Sequence, residues 1–258
     1  MSKNHVVFFS PTKTSMKVAR ALAKGMGFAD AQEHNLTHAR SRESFELACA
    51  TDDVVLFAFP VHAGRVPAFL LPVIQRMQGN GAKAVPIAVY GNRDIDDALL
   101  EAADLLESQG FSIAAATAFI GEHSFTAKVG MGRPDADDLA VAADFGAQIA
   151  QKLAQAGDGV QRPIIRGNVP YKELGGKMPF TPKTTADCTL CGCCVEVCPM
   201  SNIDPDHPSR VGDKCIQCNA CVKVCRQNAK FFDDEPLMGI IGFLEGKCAD
   251  RKEPELFL

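Results

Sequence analysis

The chain has 258 residues, 47% apolar and 22% charged, with a net charge of −4. That length accommodates one ordinary domain plus a small one, and the composition excludes a disordered chain. The acidic balance argues against nucleic-acid binding, and no run reaches the roughly 18 apolar residues of a membrane span. The opening MSKNHVVFFS lacks the apolar stretch and cleavage site of an export signal, so a cytoplasmic location is expected.

In chain order, HVVFFS (5–10), DVVLFAF (53–59), AVPIAVY (84–90) and FSIAAATAFI (111–120) are short unbroken apolar runs. Strands buried on both faces of a parallel sheet have this texture. QEHNL (32–36) reads as an edge strand. Helical patterns fall between them at 14–26, 67–78, 94–109 and 135–156. Alternation of this kind predicts an α/β fold with a five-stranded parallel doubly wound sheet. Residues 161–185 are rich in Pro and Gly and basic, which predicts a linker. Residues 186–230 hold a cysteine-dense module, with a small α+β domain expected there. Residues 231–258 form an acidic tail, opposite in charge to the linker, and the two are expected to run near each other.

The run FFSPTKTSMKVARAL lies where the first strand gives way to the first helix. Ser10, Thr12, Thr14 and Ser15 supply hydroxyls and Lys13 a positive charge. With the free N–H groups and dipole of a helix N-terminus, they make a basket for a phosphate monoester. A helix cap alone needs one hydroxyl, not four around a lysine. Neither the Gly-x-Gly-x-x-Gly dinucleotide loop nor the Walker A loop is present.

Of eleven cysteines, nine lie between 188 and 225. Cys188, Cys191, Cys194 and Cys198 fit C-x2-C-x2-C-x3-C, and Cys215, Cys218, Cys221 and Cys225 repeat it. This is the bacterial spacing for cubane iron–sulfur clusters, in which the fourth cysteine of each run ligates the other cluster. Two 4Fe–4S clusters are therefore expected, one on Cys188, Cys191, Cys194 and Cys225, the other on Cys215, Cys218, Cys221 and Cys198. Structural zinc, with two C-x2-C pairs, fits this spacing poorly. Cys193 is read as a packing thiol. Arg226 stands where Pro199 follows the first run, and a cation there would favour the reduced form of its cluster.

The module resembles the bacterial two-cluster ferredoxins, and the hydroxyl-rich loop resembles that of flavodoxin, with Lys13 in place of a glycine. FPVHAGRVP, YGNRDIDDAL, IGEHSF and FTPKTTADCTLCGCC carry a resemblance over nearly the whole chain to a family of flavodoxin–ferredoxin fusion proteins of mainly anaerobic bacteria. The resemblance implies FMN, with its phosphate on Ser10, Thr12, Lys13, Thr14 and Ser15. It implies that the flavin ring lies between Pro60, Val61, His62, Ala63 and Gly64 on one side and Tyr90, Gly91, Asn92, Arg93 and Asp97 on the other. His62 would face or edge the ring, and Asn92 would bond its pyrimidine edge. Arg93 would stabilise a reduced flavin or pair with Asp96 or Asp97. Glu122, His123 and Ser124 would line the open flavin face or form a docking loop for the cysteine module.

The implied domains are a flavodoxin-like FMN-binding domain (1–160), the linker (161–185), a two-cluster ferredoxin domain (186–230) and the tail (231–258). The implied function is electron transfer between the clusters and FMN, with a redox protein as partner. Two alternatives stand beside it: an FMN-dependent reductase of a small-molecule acceptor, fed by its clusters, and a regulatory or assembly module with structural clusters.

Overall fold

A computed structural model describes residues 3–156, 159–174 and 178–258. Residues 1–2 and 157–158 of the expected first domain, and 175–177 of the expected linker, lie outside the described residues. Strands β1 (Asn4–Phe8), β2 (Gln32–Asn35), β3 (Val54–Pro60), β4 (Lys83–Tyr90) and β5 (Ala116–Ile120) run parallel in the order β2-β1-β3-β4-β5. This is the doubly wound order of flavodoxin, with its switch point between β1 and β3. Side chains alternate between two cores. Val7, Val55 and Phe57 enter one face; Val6, Leu56 and Ile87 enter the other. Burial on both sides explains why these strands read as continuous apolar runs.

Helices α1 (Thr14–Gly25) and α3 (Ala136–Ala156) cover the second face, and α2 (Ala98–Ser108) covers the first. Glycine brings α1 and α3 together. A Cβ on Gly25 would sit 1.8 Å from the Ala143 carbonyl oxygen, and one on Gly146 would sit 2.2 Å from that of Leu22. Only two bare backbones fit at that spacing.

Three elements depart from the sequence reading. The strand expected over 111–120 is interrupted: Ser112 faces Lys83 while Thr117 faces Ile87, so one extra residue is absorbed between them, as in a β-bulge. The helix expected over 67–78 shrinks to a 3-10 turn (Ala68–Leu70) and one turn of α-helix (Leu71–Ile74). Met77, fully buried, then pairs with Leu47 as a short strand, and its burial draws the chain out of the helix. The helical turn Ala39–Glu43, with the sequence ARSRE, carries no apolar periodicity and was not foreseen.

In the cysteine module, α4 (Cys193–Glu196) and α5 (Ala220–Val224) pack beside a two-stranded sheet made by Lys183–Thr184 and Lys230–Phe231. The tail is ordered. It forms α6 (Glu235–Lys247) and then β6 (Glu255–Phe257), which adds to β5 in antiparallel register. Thr117 Oγ1 donates to the Glu255 carbonyl at 2.8 Å. The basic segment 161–174 lies along α2: Arg162 pairs with Asp104 and Glu107, and Asn168 and Lys172 donate backbone N–H groups to Asp97. Arg166 meets Glu255 at 2.5 Å, so linker and tail touch where their opposite charges suggested.

Candidate redox site

The loop after β1 wraps the start of α1. The Ser10 N–H donates to Thr37 Oγ1 and its hydroxyl accepts from the Met16 N–H, both at 3.1 Å. Ser10 is therefore committed to holding the loop. Lys13, the N-cap of α1, has φ 66° and supplies no side-chain cap. The Thr12 and Thr14 hydroxyls lie 3.5 Å apart. Ser15 is fully buried, and its Oγ has no hydrogen-bond partner among the described residues. A buried hydroxyl left without a partner at a helix N-terminus fits an anion that would complete it.

The loops after β3 and β4 meet. The Asp97 N–H donates to the Gly64 carbonyl at 3.1 Å. Gly64 has φ +86°, and a Cβ on it would lie 2.0 Å from Asp96 Oδ2. His62 and Arg65 bond each other through both backbone groups at 3.0 Å. The His62 ring packs edge-on against Phe69, and burial pushes its pKa down to about 4. Pro60 and Val61 are half-buried, Ala63 exposed and Tyr90 buried.

Three residues expected around a flavin ring have polar atoms engaged elsewhere. Asn92 Nδ2 donates to the carbonyls of Cys248 and Asp250, each at 2.7 Å, and so pins the tail. Asp97 accepts from Asn168 and Lys172 and so pins the linker. Arg93 pairs with Asp96. The linker and tail were expected from the sequence, but not their hydrogen bonds to Asp97 and Asn92.

Glu122 meets Lys223 of α5 at 2.6 Å, and the same ammonium reaches the His123 carbonyl at 3.3 Å. Burial alone would raise the Glu122 carboxyl, but Lys223 and the Gly132 N–H outweigh it and hold it below its ordinary range. The His123 ring lies against Gly91, where a Cβ would come within 2.3 Å of it. Of the two roles expected for this loop, docking of the cysteine module is the one its contacts serve.

The cysteines gather into two cavities. Cys188, Cys191, Cys194 and Cys225 line one, with Cys193, Arg226 and Lys230 beside them. Cys198, Cys215, Cys218 and Cys221 line the other, with Ile203, Val211 and Ile216. Each cavity thus takes three thiols from one run and the fourth from the other. The two runs also repeat one backbone. Positive φ recurs at Leu190 and Gln217, at Gly192 and Asn219, and at Ser201 and Asn228. Each pair has the 27-residue offset that separates Cys188 from Cys215. The N–H of Asn202 points at Cys198 Sγ (3.4 Å) and that of Ala229 at Cys225 Sγ (3.2 Å), with the same offset. Burial pushes the thiols of Cys218 and Cys221 up to about 12. As thiolates they need metal-borne positive charge beside them, which fits a cluster.

The second cavity adjoins the sheet domain. Ile216 packs onto the first core. Arg42, only 6% exposed, donates to the carbonyls of Leu36 (2.8 Å), Thr37 (2.6 Å) and Pro199 (2.7 Å). Its guanidinium lies over the rings of Phe9 and Phe69. This residue was missed in the sequence, where an arginine in a polar stretch gives no signal of burial. At the first cavity, Cys191 and Leu190 are exposed.

Residues 211–231 match the family model of the 4Fe–4S binding domain. No curated protein matches the chain. Among solved structures, a flavodoxin from the domain Archaea is 15% identical, with 59% of this chain and 99% of that chain covered and a TM-score of 0.38. Megasphaera elsdenii flavodoxin is 14% identical, covering 57% and 98%, with a TM-score of 0.39. A flavone reductase is 10% identical, covering 63% and 66%, with a TM-score of 0.44. These scores are low, and the strand order carries the fold assignment. The chain joins a flavodoxin-like sheet to a ferredoxin-type 4Fe–4S segment.

Proposed function

We propose that the chain is an electron-transfer protein that couples two 4Fe–4S clusters to an FMN. The observation that carries this reading is the pair of cavities with exchanged fourth cysteines, one of them seated on the sheet domain through Arg42 and Ile216. When bound, clusters exchange single electrons and FMN exchanges two, so their union converts one regime into the other.

The residues of this chain supply position and electrostatics. Thr12, Thr14 and Ser15 offer hydroxyls to the FMN phosphate, and Lys13 offers charge. Gly64 and Gly91 let Asp96 and the His123 ring pack directly on the backbone of the loops above the sheet. Cys188, Cys191, Cys194 and Cys225 hold the outer cluster, whose exposed rim at Leu190 and Cys191 suits a redox protein partner. Cys198, Cys215, Cys218 and Cys221 hold the inner cluster, and apolar Ile203, Val211 and Ile216 keep water from it. Arg42 fixes the turn after Cys198 and places a positive charge there. Lys223 and Glu122 clamp the module to the loop after β5. Because Glu122 is engaged by that clamp, electron transfer is favoured over reduction of a small molecule at this loop.

Anaerobically purified protein tests the reading. Iron and acid-labile sulfide are expected at about eight each per chain, together with one acid-released flavin that co-migrates with FMN. Dithionite should reduce the flavin faster in cluster-loaded protein than in protein stripped of its iron, because the clusters relay electrons to it. Four irons, no flavin after reconstitution, or clusters that reduce while the flavin stays oxidised would overturn it.

A further inference from the structure

We propose that His5, Cys49 and Asp53 supply three ligands to a zinc ion at the amino ends of the parallel strands, with water completing its four-coordinate shell. His5 is the second residue of β1, Asp53 immediately precedes β3, and Cys49 follows the short strand Leu47–Ala48. The hydroxyl loop and the loops after β3 and β4 lie at the opposite, carboxyl ends. The site is therefore separate from the redox machinery.

The three ligand atoms lie within 4.8 Å of one another, and all three residues are buried: His5 is 3% exposed, Cys49 5% and Asp53 4%. His5 Nε2 faces the Asp53 carboxylate at 3.8 Å, too far for a hydrogen bond. It is a buried ring nitrogen with no hydrogen-bond partner among the described residues. A metal in the middle of the group would give that nitrogen the partner it lacks.

Neighbouring groups hold the set in place. The Lys3 N–H donates to Asp53 Oδ1 at 2.6 Å and the Ala50 N–H to Oδ2 at 2.9 Å. Each carboxylate oxygen keeps a lone pair free. His5 Nδ1 lies 3.1 Å from His34 Nε2 on β2. That contact fixes the ring orientation and leaves Nε2 to the metal. Charge favours a divalent ion. One thiolate, one carboxylate and one neutral imidazole around it sum to zero, so no net charge is buried. The mixed S, N and O donors match zinc and disfavour the oxygen-seeking Mg²⁺ and Ca²⁺. The ion would tie β1, the 49–53 turn and, through His34, β2.

The test uses holoprotein from cells grown with added Zn²⁺ and purified anaerobically. Metal analysis should find one zinc per chain in addition to the iron. Its zinc K-edge spectrum should show a single sulfur at about 2.3 Å and an N/O shell near 2.0–2.1 Å. Cys49→Ser and His5→Gln should lose the zinc and keep the iron. His34→Phe should weaken zinc affinity by about 10- to 100-fold. Zinc-free wild-type protein, two or more sulfurs per zinc (an ion lodged among the clustered cysteines), or full zinc in Cys49→Ser would each refute the site. If the variants fail to fold, the wild-type spectrum alone still decides.

Discussion

The Arg42 guanidinium donates to the Pro199 carbonyl at 2.7 Å across 157 residues of sequence. Arg42 reaches this point from the chain after β2; Pro199 follows Cys198. The contact joins the sheet domain to the wall of the second cysteine cavity. Removing the guanidinium leaves three buried carbonyls without their donor. Arg42→Met is expected to cost roughly 3 kcal/mol of stability, read by denaturant unfolding. In the cluster-loaded protein it should also lower the potential of one cluster only, because a cation beside Cys198 is lost. A titration in which both clusters shift equally, or neither does, would contradict the placement.

Ser15 separates a binding role from a structural one. Its hydroxyl is buried and has no partner among the described residues, so Ser15→Ala should leave flavin-free protein as stable as before, or more stable by about 1 kcal/mol. The same variant should weaken FMN binding by about tenfold, near 1.4 kcal/mol. Thr12→Val and Thr14→Val should weaken it too. Ser10→Ala behaves differently: it should destabilise the flavin-free protein, because Ser10 caps the Met16 N–H. Flavin titration and thermal unfolding together check the contrast.

His62 and His123 give the fold an acid-side dependence. Burial pushes both imidazoles down to about 4, and the Lys223 and Arg93 charges add to the effect at His123. Unfolded imidazoles titrate near 6.5. Between these values the unfolded chain binds protons that the folded chain does not. This contribution to stability is therefore complete above about pH 6.5 and is lost as pH falls towards 4. Unfolding at pH 7 and pH 5 should show a smaller loss for the His62→Gln/His123→Gln double variant than for wild type.

Asn92 holds the tail through two carbonyls. Asn92→Ala should cost about 2 kcal/mol and loosen the segment carrying Arg251 and Lys252. Limited trypsin digestion should then cut there faster than in wild type, with the sheet domain otherwise intact.

Most of the sheet was legible because burial on both faces writes strands as unbroken apolar runs, as at DVVLFAF. The cysteine spacing was legible because it matches the bacterial cluster run, and the exchange of Cys198 and Cys225 between cavities follows from the helical turn before each. What stayed hidden lies in tertiary contacts. ARSRE has no periodicity, yet it delivers Arg42 to the module. Asn92 and Asp97 have the chemistry of ligand contacts, but the tail takes up the Asn92 amide N–H groups and the linker the Asp97 carboxylate. The tail was visible as acidic, but not that its Leu244 would pack on Val129. His5, Cys49 and Asp53 are scattered single residues that only the strand register brings together.

The exchange of the fourth cysteine makes the two runs interdependent. Chemical damage to Cys198 would be felt not in its own run but in the cage built by Cys215, Cys218 and Cys221. Each run alone would supply three cysteines to its own cavity and one to the other. On the proposed ligation, the repeat would work only as a pair, and loss of either copy would leave its twin's cluster one ligand short.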